Sequence, residues 1–245
     1  MNSVLTALRV FEEVATTQPV GLSELSKRLD VPKSTVQRCL RTLAEAGWLR
    51  PSTANAGQWV ITGRAFSLGS AMSSGDDLRE VALPELNRLQ TETGETVHLA
   101  VPDGNELVLI ERLDSPHQLR AFLALGTRLP LHAASTGKAY LASLPNERIE
   151  DFLATELPSL TERTVTEPAA LREEIAEIRA RGYAVTEQGL HDGIAAVAVA
   201  LRGRGGTARG CFSISGPASR LTPDLFADYG AKALAARDAI ERRLP

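Results

Sequence analysis

A short segment near the N-terminus carries side chains that could read the edges of DNA bases. Four polar residues recur there at the i, i+3, i+4 and i+7 spacing of one helix face: Ser34, Gln37, Arg38 and Arg41. In the major groove, arginine binds guanine bidentately and glutamine binds adenine in the same way. A helix with this stripe suits base recognition, although an ordinary solvent-exposed helix face is the simpler alternative.

Residues on either side of the stripe could hold the DNA backbone. Lys33, Ser34 and Thr35 begin the same predicted helix, where their side chains could anchor phosphates. Arg50 and Asn55 belong to a predicted hairpin that follows the helix. We expect all five residues to contact the same DNA as the stripe.

Three helices and a hairpin must position these side chains. Apolar residues at helical spacing predict a first helix, with an apolar side formed by Val4, Leu5, Leu8, Phe11 and Ala15. A second helix is predicted over residues 23–29 with Ser23 as its N-cap. Pro32 suits the first turn of the third helix, and Gly47 suits its end. Strands over 48–50 and 58–62 complete the order of a winged helix-turn-helix, with the hairpin as the wing.

The rest of the sequence predicts an α+β arrangement, with an antiparallel sheet flanked by helices. Phe66, Leu68 and Met72 indicate a linker helix interrupted by Gly69, Ser73, Ser74 and Gly75, and Asp76 can cap the helix after it. From Glu95 the apolar period changes to two. The predicted strands cover residues 95–101, 107–112, 119–123, 183–187, 194–201 and 208–215. The predicted helices cover residues 135–143, 146–155, 168–181 and 222–243.

The sequence motifs of common enzymes are absent or incomplete. The segment from Ser135 to Lys138 lacks two features of a phosphate-binding loop, because His132 and Ala139 stand where glycine and serine or threonine are needed. No Gly-x-Ser-x-Gly motif marks a nucleophile, and the four histidines lack metal-binding spacing. His191 and Asp192 are better interpreted as the rim of a pocket than as a catalytic base. We therefore expect no enzyme activity, no metal and no cofactor.

Composition and charge narrow the class of protein. The chain of 245 residues is 43% hydrophobic and 23% charged, which is typical of globular domains. Its longest uncharged apolar run, residues 193–201, is too short to span a membrane, and Cys39 and Cys211 predict reduced thiols in a cytoplasmic protein. Residues 1–75 hold eight basic and five acidic side chains, whereas the remainder holds 19 and 25. This asymmetry indicates a polyanionic partner for the first part alone.

Together these residues resemble the IclR family of bacterial transcriptional regulators along nearly the whole chain. In the N-terminal part the resemblance rests on Leu25-Ser26, residues 31–36, Arg38, Leu43 and Gly47. In the C-terminal part it rests on residues 94–97, 131–133 and 137–139, Leu141-Ala142, Thr161 with Thr164, Arg179, Gly182-Tyr183, residues 213–217 and Arg220. It implies a winged helix-turn-helix domain over 1–63, a linker helix over 64–76 and a GAF-like effector-binding domain over 77–245. Ala200, where the family often has proline, is a minor departure.

The resemblance also implies which residues line an effector site. It assigns this role to Ser135 and Thr136 at a helix start, to Thr186, Ile194 and Ala196, and to Ser213 and Ser215 on the last strand. His191 joins them at the rim. Helix-start amides favour an anion, and alternating serines place both hydroxyls on one sheet face. Ordinary strand polarity explains the two serines equally well without the resemblance.

These observations predict a ligand-responsive DNA-binding regulator that acts as a repressor. Some relatives have an acidic residue at the Thr186 position and cysteine at the Ala196 position. The uncharged and smaller side chains of this sequence leave room for a less polar effector, and we expect a small organic acid, with aromatic acids among the candidates. The predicted partners are a double-stranded DNA operator, the effector and further copies of the chain, which form a homodimer or tetramer. No membrane partner is expected. The alternative is a small-molecule-binding enzyme or sensor whose helix-turn-helix contacts protein.

Overall fold

The computed structural model describes residues 3–71 and 78–244. The chain divides into two compact units, Met1–Asp76 and Asp77–Pro245, each with its own hydrophobic core. The predicted linker over 64–76 falls in the first unit. Its residues Met72, Ser73, Ser74, Gly75 and the proposed cap Asp76 lie outside the described residues.

The first unit has three helices, a small sheet and a fourth helix. In chain order the elements are α1 (Ser3–Thr17), β1 (Val20–Gly21), α2 (Leu22–Leu29), α3 (Lys33–Glu45), β2 (Leu49–Pro51), β3 (Gln58–Ile61) and α4 (Arg64–Ala71). The antiparallel sheet has the order β1-β3-β2. The hairpin of β2 and β3 confirms the predicted wing. The remaining strand of the sheet, β1, was not predicted, because the sequence indicated only a helix break at Val20 and Gly21.

Two local predictions in this unit are wrong. Val4, Leu5 and Leu8 are exposed, and the buried residues of α1 are Thr6, Val10 and Val14. The helix has apolar residues on more than one side, so periodicity alone selected the wrong stripe. Ser23 is not a cap either. Helix α2 begins at Leu22, and its N-cap is Gly21, which has no side chain to accept a hydrogen bond.

The turn between α2 and α3 and the end of α3 fix the polar helix in place. Asp30 closes α2 in the left-handed conformation with φ 51°, and the Ser26 hydroxyl donates to the Val31 carbonyl over 2.6 Å. Gly47 follows α3 with φ +79°, a conformation that favours glycine. Arg64 donates to the carbonyl of Ala46 and lies over the Trp48 ring. These contacts tie the end of α3 to the hairpin and α4.

The second unit is a six-stranded antiparallel sheet with helices on both faces. Its elements are α5 (Leu78–Thr93), β4 (Thr96–Asp103), β5 (Glu106–Leu113), β6 (Arg128–Pro130), α6 (Ser135–Ser143), α7 (Asn146–Leu153), α8 (Pro168–Arg181), β7 (Ala184–Glu187), β8 (Ile194–Arg202), β9 (Ala208–Pro217), a 3-10 turn (Pro223–Leu225) and α9 (Phe226–Glu241). The sheet order is β6-β5-β4-β9-β8-β7. The predicted α+β class is confirmed.

Alternation along the strands creates two cores. On one face, Val97 and Leu99 pack in a cluster with apolar residues of α5 and α9. On the other face, Ala100, Ala198 and Cys211 pack with residues of α6, α7 and α8. Since His98 lies between Val97 and Leu99 on β4, its side chain belongs to the second face.

The predicted strand over 119–123 is wrong. The third strand is β6, and residues 114–127 form an irregular connection, called the connecting segment below. Side chains bond the carbonyls of this segment: Thr96 Oγ1 donates to the Ala121 oxygen over 3.0 Å, and Arg112 donates to the Leu123 oxygen over 2.6 Å. Its alternating apolar residues mimic a strand, yet Leu119 and Phe122 are exposed.

Candidate functional site

The polar face of α3 is open to solvent in the first unit. Ser34, Gln37, Arg38 and Arg41 are all exposed on it, as is Lys33 at its start, while Thr35 is half-buried. The opposite side is buried through Val36, Cys39 and Leu40. The structure therefore brings the six predicted α3 contacts onto a helix whose apolar side is held by the core.

The remaining two predicted DNA contacts lie on the hairpin. Arg50 is an exposed residue of β2, paired in register with Val60. Asn55 is exposed in the loop between the strands, where its backbone N–H donates to the Ser52 hydroxyl over 3.1 Å. Both side chains are thus on the wing.

The second unit contains a cavity between the sheet and α6. Counted together with its open mouth, the empty space of this cavity is about 530 Å³. All eight residues proposed from the sequence line it: Ser135, Thr136, Thr186, His191, Ile194, Ala196, Ser213 and Ser215. Seven lining residues were not anticipated: His98, Ala121, Phe122, Leu123, Leu129, Ala134 and Leu190.

Strand register explains why residues distant in sequence share this cavity. Thr186 pairs with Ala196, and Ala196 pairs with Ser215, so three neighbouring strands place these side chains in one row. Ser213 pairs with His98 of β4 in the adjacent row. The sheet face beneath the cavity therefore combines small residues with four polar side chains.

Helix α6 forms the opposite wall and directs its first turn at the cavity. Ser135 and Thr136 are its first two residues, and its N-cap, Ala134, has no side-chain hydrogen bond to offer. The amides of a first turn have no partner within the helix, so they can donate to an anion. A first turn in this position can hold a carboxylate without a buried cation.

Two close contacts fix where α6 lies. A Cβ atom at Gly137 would be 2.5 Å from Leu131 Cα, so only glycine allows this approach of helix and backbone. The buried Lys138 ammonium pairs with Glu174 of α8 over 2.7 Å. The Gly-Lys pair that faintly resembled a phosphate loop therefore positions the helix, with its lysine directed to α8.

A chain of polar side chains crosses the floor of the cavity. Ser213 Oγ lies 3.0 Å from Ser215 Oγ, which lies 3.3 Å from His98 Nδ1. Four buried side-chain atoms have no hydrogen-bond partner among the described residues, and two of them belong to residues that line this cavity: His98 Nε2 and Thr186 Oγ1. Burial lowers the pKa of His98 to about 4, with a smaller contribution from the nearby Arg112 cation. The imidazole is therefore neutral at pH 7.

The contact between Ser215 and His98 is the arrangement most similar to a catalytic pair. A histidine whose pKa is about 4 is a weak base at neutral pH and activates a hydroxyl poorly. Within residues 3–71 and 78–244, no cluster of three or more His, Cys, Asp or Glu side chains could hold a metal ion. The polar floor is better suited to hydrogen bonding a ligand than to chemistry on it.

The sequence could not easily identify His98. It alternates with apolar residues on β4, where a buried histidine satisfied by the protein is the ordinary expectation. His98 could have been identified from its position beside Ser213 on the same sheet face, but that position is known only once the register between β4 and β9 is known. Ala121, Phe122 and Leu123 were missed because their segment was interpreted as a strand.

The two units define a class of protein. A winged helix-turn-helix with exposed Arg and Gln side chains on its third helix, on one chain with an α+β unit that contains a cavity of mixed polar and apolar lining, is the architecture of a ligand-responsive DNA-binding regulator. None of the helices in the described part of the chain has the length and apolarity needed to cross a membrane.

Comparisons with known proteins agree with this class. Residues 3–52 match the IclR helix-turn-helix domain, and residues 70–242 match the bacterial transcriptional regulator IclR C-terminal family. The HTH-type transcriptional repressor AllR of Klebsiella pneumoniae is 38% identical over 211 residues, which cover 86% of this chain and 77% of that protein. The transcriptional repressor IclR of Escherichia coli K12 is 32% identical over 240 residues, covering 96% and 87%.

Solved structures extend the similarity to three dimensions. An IclR homologue from Microbacterium hydrocarbonoxydans, complexed with 4-hydroxybenzoate, has a TM-score of 0.85 at 27% identity, with 99% of both chains covered. The Thermotoga maritima IclR structure has a TM-score of 0.81 at 27% identity, covering 100% of this chain and 99% of that one. The chain belongs to the IclR family of bacterial transcriptional regulators.

Proposed function

We propose that this regulator is a repressor whose DNA affinity is controlled by a small organic acid, aromatic acids included, bound in the cavity of the second unit. One observation carries the proposal: all eight residues assigned to the effector line one cavity, with the first turn of α6 directed at it. The apolar part of the lining, including Phe122, Leu129 and Ile194, suits a hydrocarbon skeleton. Relatives named as repressors support the direction of regulation.

On the DNA side, Gln37 and Arg38 are the proposed base readers, because they lie at the centre of the exposed face of α3. Arg41 extends the same face, and Lys33, Ser34 and Thr35 are proposed to hold phosphates. Arg50 and Asn55 are proposed to contact the backbone from the wing. All of these side chains except the half-buried Thr35 are exposed on α3 and the hairpin, which supports the assignments.

We infer that two or more copies bind together. A single winged domain offers few contacts for tight specific binding, and a dimer reading a pseudo-palindrome doubles them. Phe66, 80% exposed on α4, and the exposed Leu68 beside it are candidates for the contact between copies. Sedimentation at micromolar concentration tests this, and a stable monomer with full DNA affinity would contradict it.

The experiment for the whole proposal has two stages. Selection from a random duplex library with the purified protein defines a cognate DNA, and a thermal-shift screen of small carboxylic acids defines an effector. An acid at about 100 times its dissociation constant should stabilise the protein by ~2.7 kcal/mol. Addition of that acid should then release the selected duplex while the acid itself stays chemically unchanged. Turnover of the acid, or DNA binding that ignores every stabilising acid, would favour the enzyme or sensor alternative.

A further inference from the structure

The cavity holds two polar atoms that the protein leaves unsatisfied. His98 Nε2 and Thr186 Oγ1 are buried, and neither has a hydrogen-bond partner among the described residues. The His98 side chain is almost fully enclosed, with 2% of the residue exposed, and both residues line the cavity. Native proteins pair nearly all buried polar atoms, so an unpaired atom on a residue that lines a cavity points to a group that arrives with the ligand.

The surroundings of His98 determine what kind of group this is. Its ring is neutral at pH 7, because burial and the Arg112 cation lower its pKa to about 4 while Asp114 opposes them. A neutral imidazole has one donor and one acceptor nitrogen. Ser215 can rotate its hydroxyl to donate to Nδ1 or to accept from it, so Nε2 can be either the donor or the acceptor toward a ligand.

The nearby charges do not provide a site for a second anion. The Arg112 guanidinium already donates to the Leu123 carbonyl over 2.6 Å and pairs with Asp114 over 2.9 Å. A charged group placed against His98 would lose its hydration without gaining an unengaged cation. An uncharged hydroxyl or carbonyl group would gain a hydrogen bond at smaller desolvation cost.

We propose that His98 is a specificity-determining residue that binds an uncharged hydroxyl or carbonyl group of the effector through Nε2. The inference rests on the proposed function, in which the effector's carboxylate binds at α6. It defines the effector class as carboxylic acids that carry a second, neutral polar group. His98 on β4 and Thr186 on β7 are separated by three strand spacings, roughly 14 Å between their backbones, so they contact different parts of the ligand.

The test compares acids that differ by one hydroxyl group. Calorimetric titration of the full-length protein uses benzoate against 4-hydroxybenzoate and hexanoate against 6-hydroxyhexanoate, with terephthalate as the doubly charged probe. In at least one pair, the hydroxy acid should bind about tenfold more tightly than its partner. Terephthalate should bind more weakly than 4-hydroxybenzoate. Equal affinities within both pairs, or tighter binding of terephthalate, would overturn the inference.

Two variants assign the preference to His98. His98→Met replaces the ring with an apolar side chain of similar length and should reduce the preference to about onefold, with the affinity for the deoxy acid kept within about threefold. His98→Gln keeps a polar group near the position of Nε2 and should recover part of the preference. Thr186→Val is the matched control, because it removes the other unpaired atom. If the preference for the hydroxy acid is due to His98, this variant should retain it. A preference that survives in His98→Met would refute the assignment.

A second measurement does not depend on the folding of any single variant. In the protein labelled with ¹⁵N-histidine, the Nε2 resonance of His98 should shift on addition of the hydroxy acid and move less with the deoxy acid. If acids bind but neither the preference nor this shift appears, only the role of His98 fails. If none of the acids binds, the proposed acid-binding function fails and this inference fails with it.

Discussion

Arg220 pairs with the buried carboxylate of Glu95 and, with the same guanidinium, donates to the backbone of the connecting segment. Its Nη2 lies 2.7 Å from Glu95 Oε2 and 3.1 Å from the Leu119 carbonyl. Glu95 is 1% exposed, and a Cβ at Gly216 would be 2.6 Å from its Oε2. One side chain thus joins the start of β4 to the segment that covers the cavity.

Loss of this link should affect both stability and effector binding. Arg220→Ala leaves the Glu95 carboxylate buried without its cation, which should destabilise the protein by about 3 kcal/mol in urea unfolding. The segment that carries Ala121–Leu123 should loosen, so effector affinity should fall as well. The double variant Glu95→Gln, Arg220→Met removes both charges and should recover much of the stability. Arg220→Ala with parental stability would show that the pair is dispensable.

The close packing of Gly137 in α6 against the Leu131 backbone gives a second prediction. Gly137→Ala places a methyl group against the Leu131 backbone and should destabilise the protein by about 1–3 kcal/mol, with weaker effector binding. Gly69→Ala is the control, because Gly69 is a helical residue with no atom within 4 Å of its missing Cβ. That change should stabilise the protein by about 0.5–1 kcal/mol. Equal effects of the two substitutions in thermal unfolding would contradict the proposed packing role.

The buried histidine predicts a pH dependence of stability. The pKa of His98 is about 4 in the folded protein, below its ordinary value of 6.5, so the unfolded chain binds more protons between these values. The stabilisation that comes from keeping His98 neutral is therefore fully present above pH 6.5 and is lost as the pH falls toward 4. It amounts to about 3 kcal/mol. Urea titrations at several pH values from 4 to 7 give the free energy of unfolding at each pH. This free energy should change less steeply with pH in His98→Gln than in the parent, and an identical pH dependence would argue against a buried neutral ring.

How far the sequence predicts the molecule depends on how local each feature is. The polar stripe of α3 was predictable, because residues 34–41 determine it among themselves and Gly47 marks where the helix ends. The contact between His98 and Ser215 joins residues 117 positions apart and depends on strand register, which periodicity cannot supply. The connecting segment was misinterpreted for a related reason. Its apolar alternation is local, but the side chains of Thr96 and Arg112 that bond its carbonyls are distant in sequence.

The cavity residues show a second limit. Residues from α6, β7, β8 and β9 were assigned to one site through resemblance to a family, and the fold brings them around one cavity. Four of the seven residues that complete the lining lie on β4 and the connecting segment, where no motif singled them out; the other three are Leu129 on β6, Ala134 just before α6 and Leu190 between β7 and β8. Side chains whose role depends on being unpaired, such as Thr186, become visible only when every neighbouring donor and acceptor is known.

Base reading by α3 can be separated from phosphate binding. Arg38→Ala should weaken binding to the selected duplex by ~1–3 kcal/mol and relax preference at one base pair, because it removes the side chain proposed to bind a base bidentately. Lys33→Ala should weaken binding to all duplexes similarly and reduce the slope of log K against log salt by about 1. Fluorescence anisotropy at several salt concentrations measures both. Unchanged specific affinity in Arg38→Ala would mean that another element reads the bases.

The last prediction concerns coupling between effector and operator. An effector changes DNA affinity only if it binds the DNA-competent and DNA-incompetent arrangements unequally, typically with ~1–3 kcal/mol of coupling. Ser215→Leu fills the floor of the cavity, and Ser213→Leu does so one row away, while neither residue belongs to the DNA-binding unit. Both variants should lose the effector response and keep effector-free operator binding near the parental value. Ser215→Ala, which removes the hydroxyl without filling the cavity, should keep a weakened response. Operator titrations with and without effector decide the matter: a full response in both leucine variants would place the effector elsewhere, and loss of effector-free DNA binding would show that the serines are structural.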